Sequence, residues 1–181
     1  MNKKAIIISV IATLALIIIL KIANAVNSYF FIQTTVFTKG MEPTLQPLDV
    51  VLIQRVPPSI NTGDIIAYSA ADLSSPKTVS IQRVIAKGGD KISYKLVSSD
   101  VYEVFVNGVK LDEPYLEKGC KYFNGDKNVY ASQTVPKNNF YVLGDNRKTS
   151  YDSRFTGPVS IANVTGKVTK IVKPKKRKRT L

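Results

Sequence analysis

The side chains able to do chemistry in this 181-residue chain are narrowed first by an absence, because it holds no histidine. Ser-His-Asp triads, Cys-His pairs and His-based zinc sites are excluded with it. The single cysteine, Cys120, has no second thiol for an internal disulfide and no identifiable base to make it a thiolate. Acid–base work is left to lysines, carboxylates and tyrosines, and nucleophilic attack to hydroxyls. One pairing stays open in principle. A hydroxyl can attack a carbonyl when an uncharged lysine amine takes its proton, provided burial lowers that amine's pKa toward 7. No cofactor and no metal is implied by any spacing.

Three stretches carry a resemblance to a known family: Thr38-Lys39-Gly40-Met41-Glu42-Pro43-Thr44-Leu45, then Ser80-Ile81-Gln82-Arg83 with Lys87 just beyond, then Gly144 to Arg154. With Gly63-Asp64 they follow its order. The first resembles the S-M-x-P-T-L box of the type I signal peptidases, membrane-anchored serine endopeptidases that use a Ser-Lys dyad. Gln82-Arg83-Val84-Ile85-Ala86-Lys87-Gly88-Gly89-Asp90 is similar to that family's K-R-V-x-G-x-x-G-D box. Gly144-Asp145-Asn146, Ser150, Asp152-Ser153-Arg154 and Gly157 fill every fixed position of its G-D-N-x-x-x-S-x-D-S-R-x-x-G box. The resemblance covers roughly residues 5–170 and implies a cleft near the membrane surface. It also implies that Gly40 stands where the family has its nucleophilic serine and Gln82 where it has its general-base lysine. Neither substitute can do that work: glycine has no side chain, and an amide accepts no proton at relevant pH. Thr38 falls where some members use a hydroxyl in the oxyanion region, with Met41, Pro43 and Ser80 lining the cleft. Asp64, Arg83, Asp145, Asn146, Ser150, Asp152, Ser153 and Arg154 are expected to be structural, with an ion pair fixing loops and Ser150 bonding the Gln82 amide. A relocated pair such as Ser80 with Lys39 is conceivable, but a solvated, charged Lys39 is a poor base.

The elements that must carry these residues are mostly strands. Asp49–Val56, Ile65–Tyr68, Thr78–Ala86, Phe140–Leu143 and Val164–Val172 read as β-branched or alternating runs. Val104–Leu111 reads as a hairpin turning at Asn107-Gly108. No long amphipathic helix follows residue 30. Residues 112–139 are polar and read as an excursion from the sheet.

The ends differ from the body. The apolar run 5–26 is about 33 Å of helix, enough for a hydrocarbon core of roughly 30 Å. Lys3 and Lys4 favour a cytoplasmic start, so that residues 27–172 lie outside the membrane. Ala23-Asn24-Ala25 also has the form of a signal-peptide cleavage site, a competing reading. The net charge of +13 is concentrated at these ends, and residues 173–181 carry six basic residues and no acid. That tail is expected to be disordered, either merely solvated or attracted to anionic lipid or wall polymer. Nucleic acid is not an expected partner outside a cell.

The expectation is therefore a mostly β protein of antiparallel sheets in a signal-peptidase-like fold, preceded by one N-terminal transmembrane helix. The missing dyad makes it similar to the degenerate signal-peptidase-like proteins of Gram-positive pilus gene clusters. That likeness implies a noncatalytic binder of exported polypeptide, such as a pilin, acting in pilus assembly. The rival expectation is an active endopeptidase with a relocated nucleophile.

Overall fold

The computed structural model describes residues 2–55, 57, 59–69, 79–118, 120–122 and 127–173. The first element, α1 Lys3–Phe30, is a helix with no acid, and its large apolar side chains are exposed. It is long and apolar enough to cross a membrane over Ile6–Phe30. It thus runs four residues past the expected 5–26 span. The Ser28 hydroxyl donates to the Ala25 carbonyl at 2.9 Å, so polar residues continue the helix instead of ending it. Tyr29 and Phe30, rings edge to face at 5.2 Å, close it with the aromatic pair typical of a membrane–water boundary.

Eleven strands follow: β1 Phe31–Thr35, β2 Val50–Gln54, β3 Ile65–Ser69, β4 Val79–Lys87, β5 Lys91–Ser98, β6 Val101–Val106, β7 Val109–Lys110, β8 Gln133–Thr134, β9 Asn139–Leu143, β10 Val159–Ser160 and β11 Val164–Lys173. A one-turn helix, α2 Ser153–Thr156, lies between β9 and β10. All pairings are antiparallel. One sheet has the order β1-β2-β11-β3-β4-β9-β10, the other β7-β6-β5-β8. Asn107 and Gly108 both have positive φ, 53° and 81°, as a two-residue hairpin turn between twisted strands requires. Lys173, the first residue of the expected tail, closes β11 opposite Val50. Residues 174–181, Val56, Pro58 and Thr78 lie outside the described residues.

Residues 112–139 are more than an excursion. Tyr122 and Tyr130 pack with Val135 into the core beside Ile85, Tyr141 and Leu143. Tyr102 and Tyr130 stack at 4.0 Å, and β8 adds to β5. A few aromatic residues carry the burial while the polar majority faces water, which hides the packing in composition.

Candidate functional site

The loop between β1 and β2 holds Gly40 by burying its neighbours. Met41 and Leu45 enter the core with Val36, Val51, Ile53 and Ala67. The loop is closed by Val36 N–H on the Asp49 carbonyl at 2.8 Å and Leu48 N–H on the Val36 carbonyl at 2.7 Å. It includes a cis Glu42–Pro43 bond. The Gly40 carbonyl accepts from the Asn146 N–H at 3.0 Å, tying this loop to the one after β9.

Two glycines meet here with opposite requirements. A Cβ at Gly144 would lie 2.1 Å from Ser150 Oγ and 2.4 Å from the Gly40 carbonyl oxygen, so only glycine fits. A Cβ at Gly40 would meet nothing nearer than Ser150 Oγ at 3.5 Å, an ordinary contact, and its φ is not positive. Packing demands glycine at 144 and leaves room for a side chain at 40.

Gln82 faces that room from β4 and is buried. Its Oε1 accepts from the Tyr68 hydroxyl at 2.7 Å. Its Nε2 donates to the Tyr151 carbonyl at 2.7 Å and makes a longer contact, 3.5 Å, with Ser150 Oγ. The expected Ser150–Gln82 bond is thus the weaker of the two, at the outer limit for such a bond. Tyr68 is held well above the ordinary tyrosine pKa, chiefly by burial and further by the Asp152 carboxylate. It stays a neutral donor, and Ser80 bonds the same phenol.

Around this centre the expected structural residues are tied together. Arg83 donates to both Asp145 oxygens, from Nε at 2.8 Å and Nη2 at 2.5 Å, and to the Gly63 carbonyl at 2.8 Å. Thr44 donates to the same carboxylate at 2.5 Å, and the Tyr115 ring covers the guanidinium at 3.9 Å. Asp152 caps α2, pairs with Arg154 at 2.8 Å and accepts from the Gly144 N–H at 3.0 Å. Ser153 Oγ accepts from the Val142 N–H at 3.0 Å. Asp64 stands further out, paired with Lys167 at 2.8 Å. Thr38 and Lys39 are exposed and Pro43 and Ser80 half-buried. Among the described residues no group of three or more His, Cys, Asp or Glu is gathered to hold a metal.

One edge of β4 beside the site carries no strand over its first residues among the described residues. Val84 exchanges backbone bonds with Gly63 and Asp64, on the β3 side. Alternation along β4 then directs the peptide groups of Val79 and Ile81 to the opposite edge. There β9 pairs only from Arg83 onward, so no strand covers Val79–Gln82 among the described residues.

A family model described as "Signal peptidase, peptidase S26" matches residues 7–173. The chain belongs to that signal peptidase family. Signal peptidase I V of Bacillus subtilis (strain 168) is 32% identical over 164 residues, covering 84% of this chain and 92% of that protein. Signal peptidase I of Bacillus caldolyticus is 35% identical over 153 residues, 77% and 78% of the two chains. Signal peptidase IB of Staphylococcus aureus (strain COL) is 33% identical over 155 residues, 76% of each. A crystal structure of a signal peptidase I from Enterococcus faecalis V583 aligns with a TM-score of 0.48 at 29% identity, over 63% of this chain and all of that one.

Within this signal peptidase frame, several residues escaped the sequence reading. Tyr68 is placed by register alone: β3 and β4 pair Ile66 with Gln82 and Tyr68 with Ser80, which puts Tyr68 diagonal to Gln82 on one face. Arg147 fills an unspecified position of the fourth box, yet it is fully buried. It donates to the Gly144 carbonyl at 3.0 Å and Tyr122 Oη at 2.5 Å, and pairs with Glu113. Glu113 and Tyr115 belong to the polar stretch and gave no periodic signal.

Proposed function

We propose that this signal peptidase family member is noncatalytic and holds an extended polypeptide at the outer face of the membrane, as an assembly factor or chaperone for pilus subunits. Gly40 and Gln82 occupy its dyad positions. The observation that carries the reading is the hydrogen-bond closure of Gln82. Its amide is satisfied by Tyr68 and the Tyr151 carbonyl, in a centre where, among the described residues, no lysine is buried. A lysine left there without its serine would be a costly buried charge, whereas an amide is neutral at every pH. The open edge of β4 supports strand addition by a guest chain, main-chain bonds supplying affinity. Exposed Phe37, Val79 and Tyr151, each within three residues of Gly40, Gln82 or Ser150, offer apolar surface to its side chains.

The test has two parts. Full-length protein in vesicles, mixed with an exported preprotein, is expected to leave it uncut. In the producing strain, deleting the gene is expected to deplete the high-mass pilus ladder, and a normal ladder would sink the assembly role. The relatives' names favour a second reading, an active peptidase with Ser80 as a displaced nucleophile. Cleavage that Ser80→Ala abolishes would establish it. Against it stand the engagement of Ser80 with Tyr68 and the solvent exposure of Lys39.

A further inference from the structure

We propose that the groove at the junction of helix α1 and the β-body binds the phosphate head group of an anionic phospholipid. Arg55 stands at that junction, its backbone N–H bonded to the Phe30 carbonyl at 2.8 Å. It is common to two adjoining hollows. One, about 430 Å³, reaches the ring of Tyr29 and the side chains of Asn163 and Thr165. The other, about 560 Å³, runs on to Lys87 and Asn138 over an apolar floor that includes Phe140. Among the described residues the two linings hold two cations and no acid.

Neither cation is spent. Arg55 and Lys87 make no ion pair and no side-chain hydrogen bond among the described residues. The acids on adjacent elements are engaged elsewhere. Asp64 pairs with Lys167, and Asp90 accepts from the Lys87 N–H and the Asn107 amide. The site is therefore electropositive, with amide and hydroxyl donors for phosphate oxygens. Its height is set by Tyr29 and Phe30, the aromatic end of the apolar helix, where head groups lie. A doubly cationic groove disfavours a choline head group and favours a net negative one.

This assignment rests on the membrane anchoring proposed above, and the experiment separates the two. Full-length protein is incorporated into nanodiscs of neutral lipid, then of neutral lipid with phosphatidylglycerol, and retained lipid is counted by native mass spectrometry. Failure to enter neutral nanodiscs would overturn the anchoring. With anchoring in place, Arg55→Gln with Lys87→Gln is expected to weaken phosphatidylglycerol retention on the order of 25-fold, about fivefold per cation near the surface. Lys95→Gln with Lys118→Gln, equal in charge but on the other sheet and its loop, is expected to leave retention unchanged. Equal losses from both pairs would reduce the effect to general charge and overturn the groove. Displacement of the lipid by equimolar inorganic phosphate would overturn the lipid assignment in favour of a free anion.

Discussion

Installing a Ser-Lys pair at the proposed dyad positions is the most demanding perturbation. Gly40→Ser meets an ordinary 3.5 Å contact at Ser150 and a backbone that any residue adopts, so it is expected to be neutral or stabilising by about 0.5 kcal/mol. Gln82→Lys is costly by itself. It removes the acceptor for the Tyr68 hydroxyl, about 1–3 kcal/mol for a buried unsatisfied donor. It also buries an ammonium, and a pKa depressed by roughly three units costs about 4 kcal/mol. Three oxygens offset part of this: Tyr68 Oη, the Tyr151 carbonyl and Ser150 Oγ surround the amide now. A net loss of about 3 kcal/mol lowers Tm by about 6–12 °C for a chain of this size.

The sign of the pH effect follows from linkage. The introduced amine has a lower pKa folded than unfolded, so between those values the unfolded chain binds more protons and stability rises with pH. The Tm deficit of Gln82→Lys should therefore be full near neutral pH and shrink toward pH 10. Catalysis should behave otherwise. The two groups act as a unit, so neither single variant is expected to cut, while the double variant exceeds both by on the order of 100-fold, the lower range for a positioned general base. Circular dichroism melts between pH 6 and 10 and preprotein cleavage in vesicles read both effects. A double variant with the expected melting behaviour but no cleavage would refute the reasoning, because the cleft would then have diverged beyond its two missing side chains.

Three further outcomes are expected. Gly144→Ala should destabilise severely, since its Cβ would stand 2.1 Å from Ser150 Oγ, whereas Gly40→Ala should melt within a degree or two of the parent; equal melts would show that packing does not distinguish the two glycines. Glu113→Ala strips the carboxylate from fully buried Arg147 and should cost about 3 kcal/mol, read by urea unfolding, with an unchanged midpoint counting against a stabilising role for that pair. Burial raises the pKa of Tyr68, Tyr94, Tyr115, Tyr122, Tyr130 and Tyr141, the last pushed up to about 12. Below about pH 9 these phenols are neutral folded and unfolded alike, and as the pH rises through 10 the unfolded chain ionises first. Stability should fall from about pH 10 upward, and tyrosinate absorbance that rises without loss of the folded signal would contradict this.

The parts of the fold legible in the sequence are those where local pattern and burial coincide. Asn107-Gly108 turns a hairpin, and the fourth box holds the ion pair of Asp152 with Arg154. β1 and β5 were not legible. β1 continues straight from the helix with no break residue, and β5 is exposed along its second half, so neither shows a clean two-residue period. Arg147 was hidden for a different reason. Burial of a cation depends on partners far along the chain, here Glu113 and Tyr122, and no local window contains them. The Tyr68–Gln82 bond likewise needs the β3–β4 register, which the sequence does not specify.

What separates a binding cleft from a decayed one is the cost of its parts. An uncovered strand edge is a standing hazard, because its free N–H and C=O groups recruit other chains. Among the described residues no strand pairs with the Val79–Ile81 edge of β4. The loops that frame it are fastened by several buried or partly buried hydrogen bonds, including Thr44 and Arg83 on Asp145 and Asn146 on Gly40. Nothing in stability alone requires those loops to hold that edge clear. With the centre closed by a neutral amide, a chain added to the edge would meet main-chain partners and apolar rim but no attacking group. Retention without cleavage is the behaviour this combination allows, and it is what an assembly factor holding an unfolded segment has to do.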